Sequence, residues 1–341
     1  MGTGRVKHKF RLSVVLAALA GLTFCLSWAG AFPKNWVESY YSRTVFPTVS
    51  HIVGSVADAV PFSWFDVAVV FLLGMAVYSL RWSNIWALLG VASAAYLWFF
   101  WLWGLNYHRV ALETKLGLDS TATNPEQVEM FVRTAASELN RLWPIVAQTP
   151  FDGQGAAHLA GDRVRLVVSK IDGTNWAAAN RIKHSIVAAG WFRVAGIDGM
   201  FNPFGHEPVV ASSLLSFELP FVMTHELAHV RGIPNEGDAN LVATLATLAS
   251  DDPAFRYSGW FHLWLYLQNA KRDALLDAGP RRDLQIFSER VRSQEIPWVS
   301  NLQSAVLDWH LKANRVHEGV ASYSKFVTLA IATQDRWQEF R

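Results

Sequence analysis

The chain has 341 residues, enough for two domain-sized units. Hydrophobic residues make up 51% and charged residues only 17%, a balance too apolar for an ordinary soluble protein of this size. A net charge of +2 with no long basic block argues against nucleic acid as a partner, and the single cysteine, Cys25, rules out an intrachain disulfide and a cysteine-based zinc site.

Three apolar stretches occupy the first third, at about 12–32, 62–80 and 85–105. Each approaches the roughly 20 residues that cross a bilayer as a helix. Many of the 16 tryptophans stand near the ends of apolar runs, where indole rings settle between hydrocarbon and water. Arg5, Lys7, Lys9 and Arg11 precede the first stretch, and Arg81 lies between the second and third. These basic residues predict a cytoplasmic N-terminus and three transmembrane helices. The chain after about Asn106 then lies on the outer side of the membrane, which in a bacterium is the periplasmic side. Ala29-Gly30-Ala31 also resembles a signal-peptide cleavage site, but the apolar run is long for one, so a retained helix is expected. Pro33 to Pro61 reads as an interfacial loop with short helical pieces. The division predicted is a membrane region, 1–106, and a second domain, 107–341.

In that second domain Asn124-Pro125 signals an N-cap with proline at the first helical position, and a helix runs to about Val146. Gly153 to Gly161 reads as loop and Arg163 to Ser169 as a strand. A helix is expected around Trp176 to Ala188. The glycines and prolines between Gly196 and Val210 bracket a hairpin or edge strand. That strand either closes a small sheet or holds an extended substrate by main-chain pairing. From Pro220 onward the chain reads as almost wholly helical, with amphipathic helices at about Tyr257–Gln268, Lys271–Arg292 and Pro297–Ala313, and a last one at about Ser322–Thr333. Trp260, Phe261, Trp264 and Leu265 are expected in the core, the alternative being a face on the membrane.

The chemistry concentrates in His225-Glu226-Leu227-Ala228-His229, an HExxH pattern. On a helix from about Pro220 to Arg231, positions i and i+4 share a face, so both imidazoles reach one metal ion. Glu226 stands beside the metal, where a carboxylate takes a proton from the attacking water. Gly232 ends the helix in a left-handed cap. A catalytic zinc takes three protein ligands, and Glu236, seven residues after His229, is the expected third. Asp238 is the alternative ligand, or it supports one of the ligand histidines, as Asn240 does in the same reading. The cofactor expected is Zn2+, with Glu226 as general base. An oxyanion donor is still needed; the candidates are Tyr323, taken first, and His206, Arg256, Tyr257, His262 and His317.

Glu236-x-x-Ala239-Asn240 is similar to the element that supplies the third ligand in gluzincin metallopeptidases. Several further pieces match: Pro61-Phe62-Ser63, Trp103-Gly104-Leu105-Asn106-Tyr107-His108-Arg109, Phe201-Asn202-Pro203-Phe204, Pro220-Phe221 and Gly319-Val320-x-Ser322-Tyr323. Together with the HExxH run they resemble an uncharacterised family of bacterial multi-span membrane proteins carrying such a domain. The chain departs from it at Val230, where glutamine is usual, at Gly237-Asp238, where two acidic residues are usual, and at Gly205-His206, in place of Thr-Gly. The resemblance implies an α+β, mostly helical fold, with transmembrane helices ahead of a zincin-like domain that has a small sheet. It also implies a metallopeptidase acting on a peptide or protein at the lipid bilayer; the alternative expectation is a catalytically silent scaffold or sensor of the same fold.

Overall fold

A computed structural model describes residues 3–82, 85–118, 124–149, 151–179, 181–269, 271–314, 316 and 322–341, with the side chains of 3–10, 80, 82 and 322–325 outside that description. The chain is mostly helical, and among the described residues the sheet has two strands.

Helix α1 (Thr3–Trp28) runs to a left-handed Gly30. A short α2 (Lys34–Trp36), a π-helical segment (Val37–Val45) and α3 (Phe46–Asp58) follow, so the predicted loop of 33–61 is largely helix. Val37, Tyr41 and Phe46 are buried and draw this segment into the core. Helices α4 (Trp64–Trp82) and α5 (Ile85–Leu102) are strongly apolar. Two windows, Arg11–Trp28 in α1 and Ile85–Leu102 in α5, are long and apolar enough to cross a membrane, whereas the apolar part of α4, Trp64–Ser79, is shorter. The first turn of α4 is committed to protein contacts: Asp66 accepts hydrogen bonds from the Ser185 hydroxyl and from the amides of Ile186 and Val187. Of the three spans predicted, two therefore pass on length and composition. Helices α1 and α5 lie together; a Cβ at Gly90 would come within 2.7 Å of Ser13 Oγ.

After α5, the 3-10 turn Gly104–His108 and α6 (Leu112–Leu116) lead to α7 (Pro125–Val146). Helix α7 starts as expected: Asn124 and Gln127 form a reciprocal capping box with Pro125 at the first position. Helix α8 (Gly153–Asp172) replaces the predicted loop and strand. Ala156, Ala160, Val164, Val167 and Val168 form one buried stripe at helical spacing, of which the apparent alternation in 163–169 is only part. The helix predicted around Trp176 to Ala188 is absent: 176–179 and 181–188 are irregular, and Lys183 instead bridges to Val209. Its buried ammonium donates to the carbonyls of Ala57, Val60 and Phe62, a pull that only the folded chain supplies.

Helix α9 (Ala189–Ala195) leads to the hairpin, β1 (Gly199–Asn202) antiparallel to β2 (Glu207–Val210), with Gly199 opposite Val210 and Asn202 opposite Glu207. Lys183 occupies the far side of β2, which leaves the outer edge of β1 as an edge of the sheet. The remaining helices are α10 (Leu219–Val230), α11 (Glu236–Leu248), α12 (Pro253–Leu267), α13 (Ala278–Gln294), α14 (Pro297–Ala313) and α15 (Ser322–Ala332). Helices α10 and α11 are the centre of the fold, packed together and against α8 and α12. Trp260, Phe261 and Trp264 of α12 are buried in that core.

Candidate metal centre

Helix α10 carries the HExxH run. Pro220 sits in its first turn, and a Schellman motif closes it: Gly232 N donates to His229 O at 2.9 Å and Ile233 N to Ala228 O at 3.2 Å. Gly232 takes φ +75°, and a Cβ there would come within 2.7 Å of the Phe46 ring, so both backbone and space call for glycine. The turn sends the chain back to Asn235, whose Oδ1 caps α11 by accepting from Gly237 N and Asp238 N. Glu236 is therefore the first residue of α11, facing the histidines of α10.

His225 Nε2 lies 3.1 Å from His229 Nε2 and 3.1 Å from Glu236 Oε2, and His229 Nε2 lies 3.3 Å from the same oxygen. A tetrahedral ion with ligands at about 2.0–2.1 Å needs its donors about 3.3 Å apart. His229 Nδ1 faces Ile233 O at 2.7 Å and so carries the ring proton, which turns the Nε2 lone pair toward the cluster. Two imidazole Nε2 atoms and a carboxylate oxygen thus converge with side chains no more than 14% exposed. Among the described residues this is the group of His, Cys, Asp and Glu side chains that fits a metal ion. Its electrostatics favour a cation. Burial opposes charge on both partners, yet Glu236 raises His229 to about 9, and the histidines hold Glu236 below the usual carboxylate range.

Glu226 lies beside this triangle rather than in it. Burial raises its carboxyl to about 7 against the opposing pull of His225 and His229. Its Oε2 is buried with no hydrogen-bond partner among the described residues, an unusual expense for a carboxylate. Gly199 of β1 backs onto it, where a Cβ would come within 2.5 Å of Glu226 Oε1. Asp238 is not in the cluster; its Oδ2 accepts from Leu112 N at 3.4 Å. Asn240 is buried, with Nδ2 unpartnered among the described residues.

The chain segment leaving α5 reaches the same place. Trp103 Nε1 donates to His229 O at 3.1 Å, and its ring packs on Phe201 at 5.0 Å. Tyr107 packs edge-on against Trp103 at 5.4 Å and against His310 of α14 at 6.2 Å. Burial and then the Glu236 charge raise the Tyr107 hydroxyl, while burial lowers His310 against that same charge. Arg109 Nη1 donates to Gly232 O at 2.8 Å and so clamps the turn between the ligands. The guanidinium also meets Glu38 at 2.9 Å and Asp172 at 2.7 Å, and Lys115 bridges the same two carboxylates. Burial alone would raise Glu38, but Arg109 and Lys115 hold it at about 2.

The oxyanion candidates read from sequence scatter. Tyr257 donates to Asp283 at 2.6 Å and Arg256 pairs with Glu138, both away from the cluster. His206 is buried between Phe46 and Phe201 at φ +49°. His262 is stacked on Phe221 with ring centroids 4.2 Å apart, its Nδ1 facing Ser258 O, and burial lowers it to about 4. His317 lies outside the described residues, and Tyr323 is on α15 with its side chain outside the description. Tyr107 and His310, both within reach of the Glu236 charge, are not among the candidates; the resemblance through Trp103–Arg109 is the one signal that singles out Tyr107's neighbourhood.

The profile of a family described as "Protein of unknown function (DUF3810)" matches residues 41–331. Neither a curated protein nor a solved structure matches the chain.

Proposed function

The chain belongs to that family, whose description names no reaction, and we propose from its own residues that it is a membrane-anchored, zinc-dependent metallopeptidase. One observation carries the proposal: three donor atoms 3.1–3.3 Å apart, with a buried carboxylate beside them whose Oε2 has no partner among the described residues. His225, His229 and Glu236 are the residues that would hold zinc, and bound there the ion lowers the pKa of water toward about 7 and polarises a carbonyl.

The rest of the work falls to the chain. Ile233 O fixes the His229 tautomer. Glu226, with its carboxyl near 7, takes the proton of the attacking water and returns it to the leaving nitrogen. Tyr107 and His310 are the donors best placed to meet the developing oxyanion. The outer edge of β1, with Gly199 against Glu226, suits an extended peptide held by main-chain pairing. In this reading α1 and α5 span the bilayer of a bacterial inner membrane, with α4 as a third, shorter crossing. The domain-side ends of all three meet the same body: Ser27 of α1 lies against His108, Asp66 of α4 against 185–187, and Trp103 follows α5 onto α10. The basic residues at the N-terminus and Arg81 then assign that body to the periplasmic side.

The test is peptide-bond hydrolysis by the full chain in nanodiscs, with metal content measured in parallel. Glu226→Gln is expected to keep its metal and lose on the order of a hundredfold or more in turnover. Turnover unchanged in Glu226→Gln sinks the mechanism. A loaded wild type that cleaves nothing would instead favour a silent scaffold, in which the unpartnered carboxylate has no use.

A further inference from the structure

Helix α14 leaves an apolar face uncovered. Trp298, Leu302, Val306 and Trp309 are 69%, 51%, 53% and 71% exposed, and together with Ala305 they form one stripe at helical spacing with tryptophan at both ends. Val299 and Leu311 are the residues by which the helix is buried against the protein. The helix has one acidic and one basic side chain facing out, Asp308 and Lys312, and these pair with each other at 2.7 Å on the flank of the stripe.

The position of this face says what covers it. At its C-terminal end, His310 packs against Phe99 of α5, three residues from the domain-side end of that candidate span. At its N-terminal end, Ile296 N donates to Val194 O of α9. Helix α9 adds Trp191, 44% exposed, and the segment just before it adds Ile186, at 82% the most exposed large apolar side chain among the described residues. The Ile186 amide is in turn held by Asp66 in the first turn of α4. The uncovered apolar surface therefore runs from the start of α4 to the end of α5, level with the ends of the helices that enter the membrane.

We infer that α14 is an interfacial helix, seated with its Trp298–Trp309 face in the headgroup–acyl boundary of the bilayer that α1 and α5 cross. Aromatic rings at both ends and a lysine on the flank are the composition that such a helix needs. The inner side of α14 carries His310, against Tyr107, so a single helix separates the lipid from the metal cluster. This inference rests on the membrane reading of α1 and α5 but does not depend on peptidase activity.

The test uses the full chain reconstituted in palmitoyl-oleoyl phosphatidylcholine vesicles, with Cys25→Ser as background. Leu302→Cys, Trp309→Cys, Ser304→Cys on the other side of α14, and Leu19→Cys on α1 are spin-labelled one at a time. Collision with oxygen, which concentrates in lipid, is compared with collision with an aqueous nickel chelate. The expected result is that positions 302 and 309 join position 19 in favouring oxygen severalfold, while 304 favours nickel. Positions 302 and 309 matching 304 would overturn the inference and leave the span at α1 standing. Protection from both reagents, with spin–spin broadening, would mean that a second copy covers the face and would overturn it equally. An aqueous signal at 19 as well would bring down the membrane reading itself. All the labelled α14 positions are exposed, so the substitutions do not disturb the core.

Discussion

Gly199 leaves no room for a side chain: the Glu226 carboxylate fills the space where its Cβ would be, with Oε1 at 2.5 Å and Cγ at 2.9 Å. Gly199→Ala is therefore a way to move the proposed base, Glu226, without touching the proposed ligands His225, His229 and Glu236. It should leave metal content intact while turnover falls on the order of tenfold or more, as misplacing a reacting group by part of an ångström does. Turnover equal to wild type would mean that Glu226 need not stand where it does. At this scale the sequence was most readable where the chemistry is local. His225 and His229 are one turn apart on a helix, and Glu236 follows within a single capped turn, so spacing alone brought the three together. Tyr107 and His310 meet over some two hundred residues of chain, and no local pattern announces that.

The ligand turn is the element on which the cluster depends. Gly232→Ala must place an L-residue at φ +75°, which costs about 1–2 kcal/mol, and must also displace the Phe46 ring. A fall in thermal midpoint together with weaker metal retention is expected, and an unchanged midpoint would contradict the packing described. Arg109 clamps the same turn from outside, and its removal leaves Glu38 and Asp172 short of a counter-ion. Arg109→Ala should cost about 3–5 kcal/mol, measured by denaturant or thermal unfolding. The network also sets an acid limit. Glu38 is held at about 2, below its ordinary 4.5, so its contribution is complete above pH 4.5 and is lost as pH falls toward 2. Glu38→Gln should therefore flatten the wild-type loss of stability across that window; a wild type with no such loss would show that the network does not hold the charge. Elements were legible in sequence where one periodicity ruled. The N-cap and first-turn proline of α7 and the limits of α14 came through because caps and proline are local signals. Helix α8 did not, because 163–169 taken alone also fits a period of two, and its true stripe begins at Ala156. The stretch around Trp176 to Ala188 did not either, since Lys183 is placed by three carbonyls more than a hundred residues away.

Across the described molecule, the apolar N-terminal third and the His225–His229–Glu236 cluster are parts of one packing arrangement. Phe100, Trp103 and Leu105 share a hydrophobic core with Leu227 and Ala228 of α10 and with Leu241 and Leu245 of α11. Composition announced the apolar third, and the apolar run of α4, whose first turn is given to Ser185–Val187, is shorter than those of α1 and α5. What composition does not carry is that the exit of α5 lands on His229. Everything above the level of packing rests on a metal at His225, His229 and Glu236. The most direct measurement is the metal content of the purified full chain, wild type beside His225→Ala. The account predicts one zinc per wild-type chain, lost in His225→Ala, with X-ray absorption showing nitrogen and oxygen ligands at about 2.0–2.1 Å and no sulfur. A metal-free wild type, or zinc kept undiminished in His225→Ala, would contradict it.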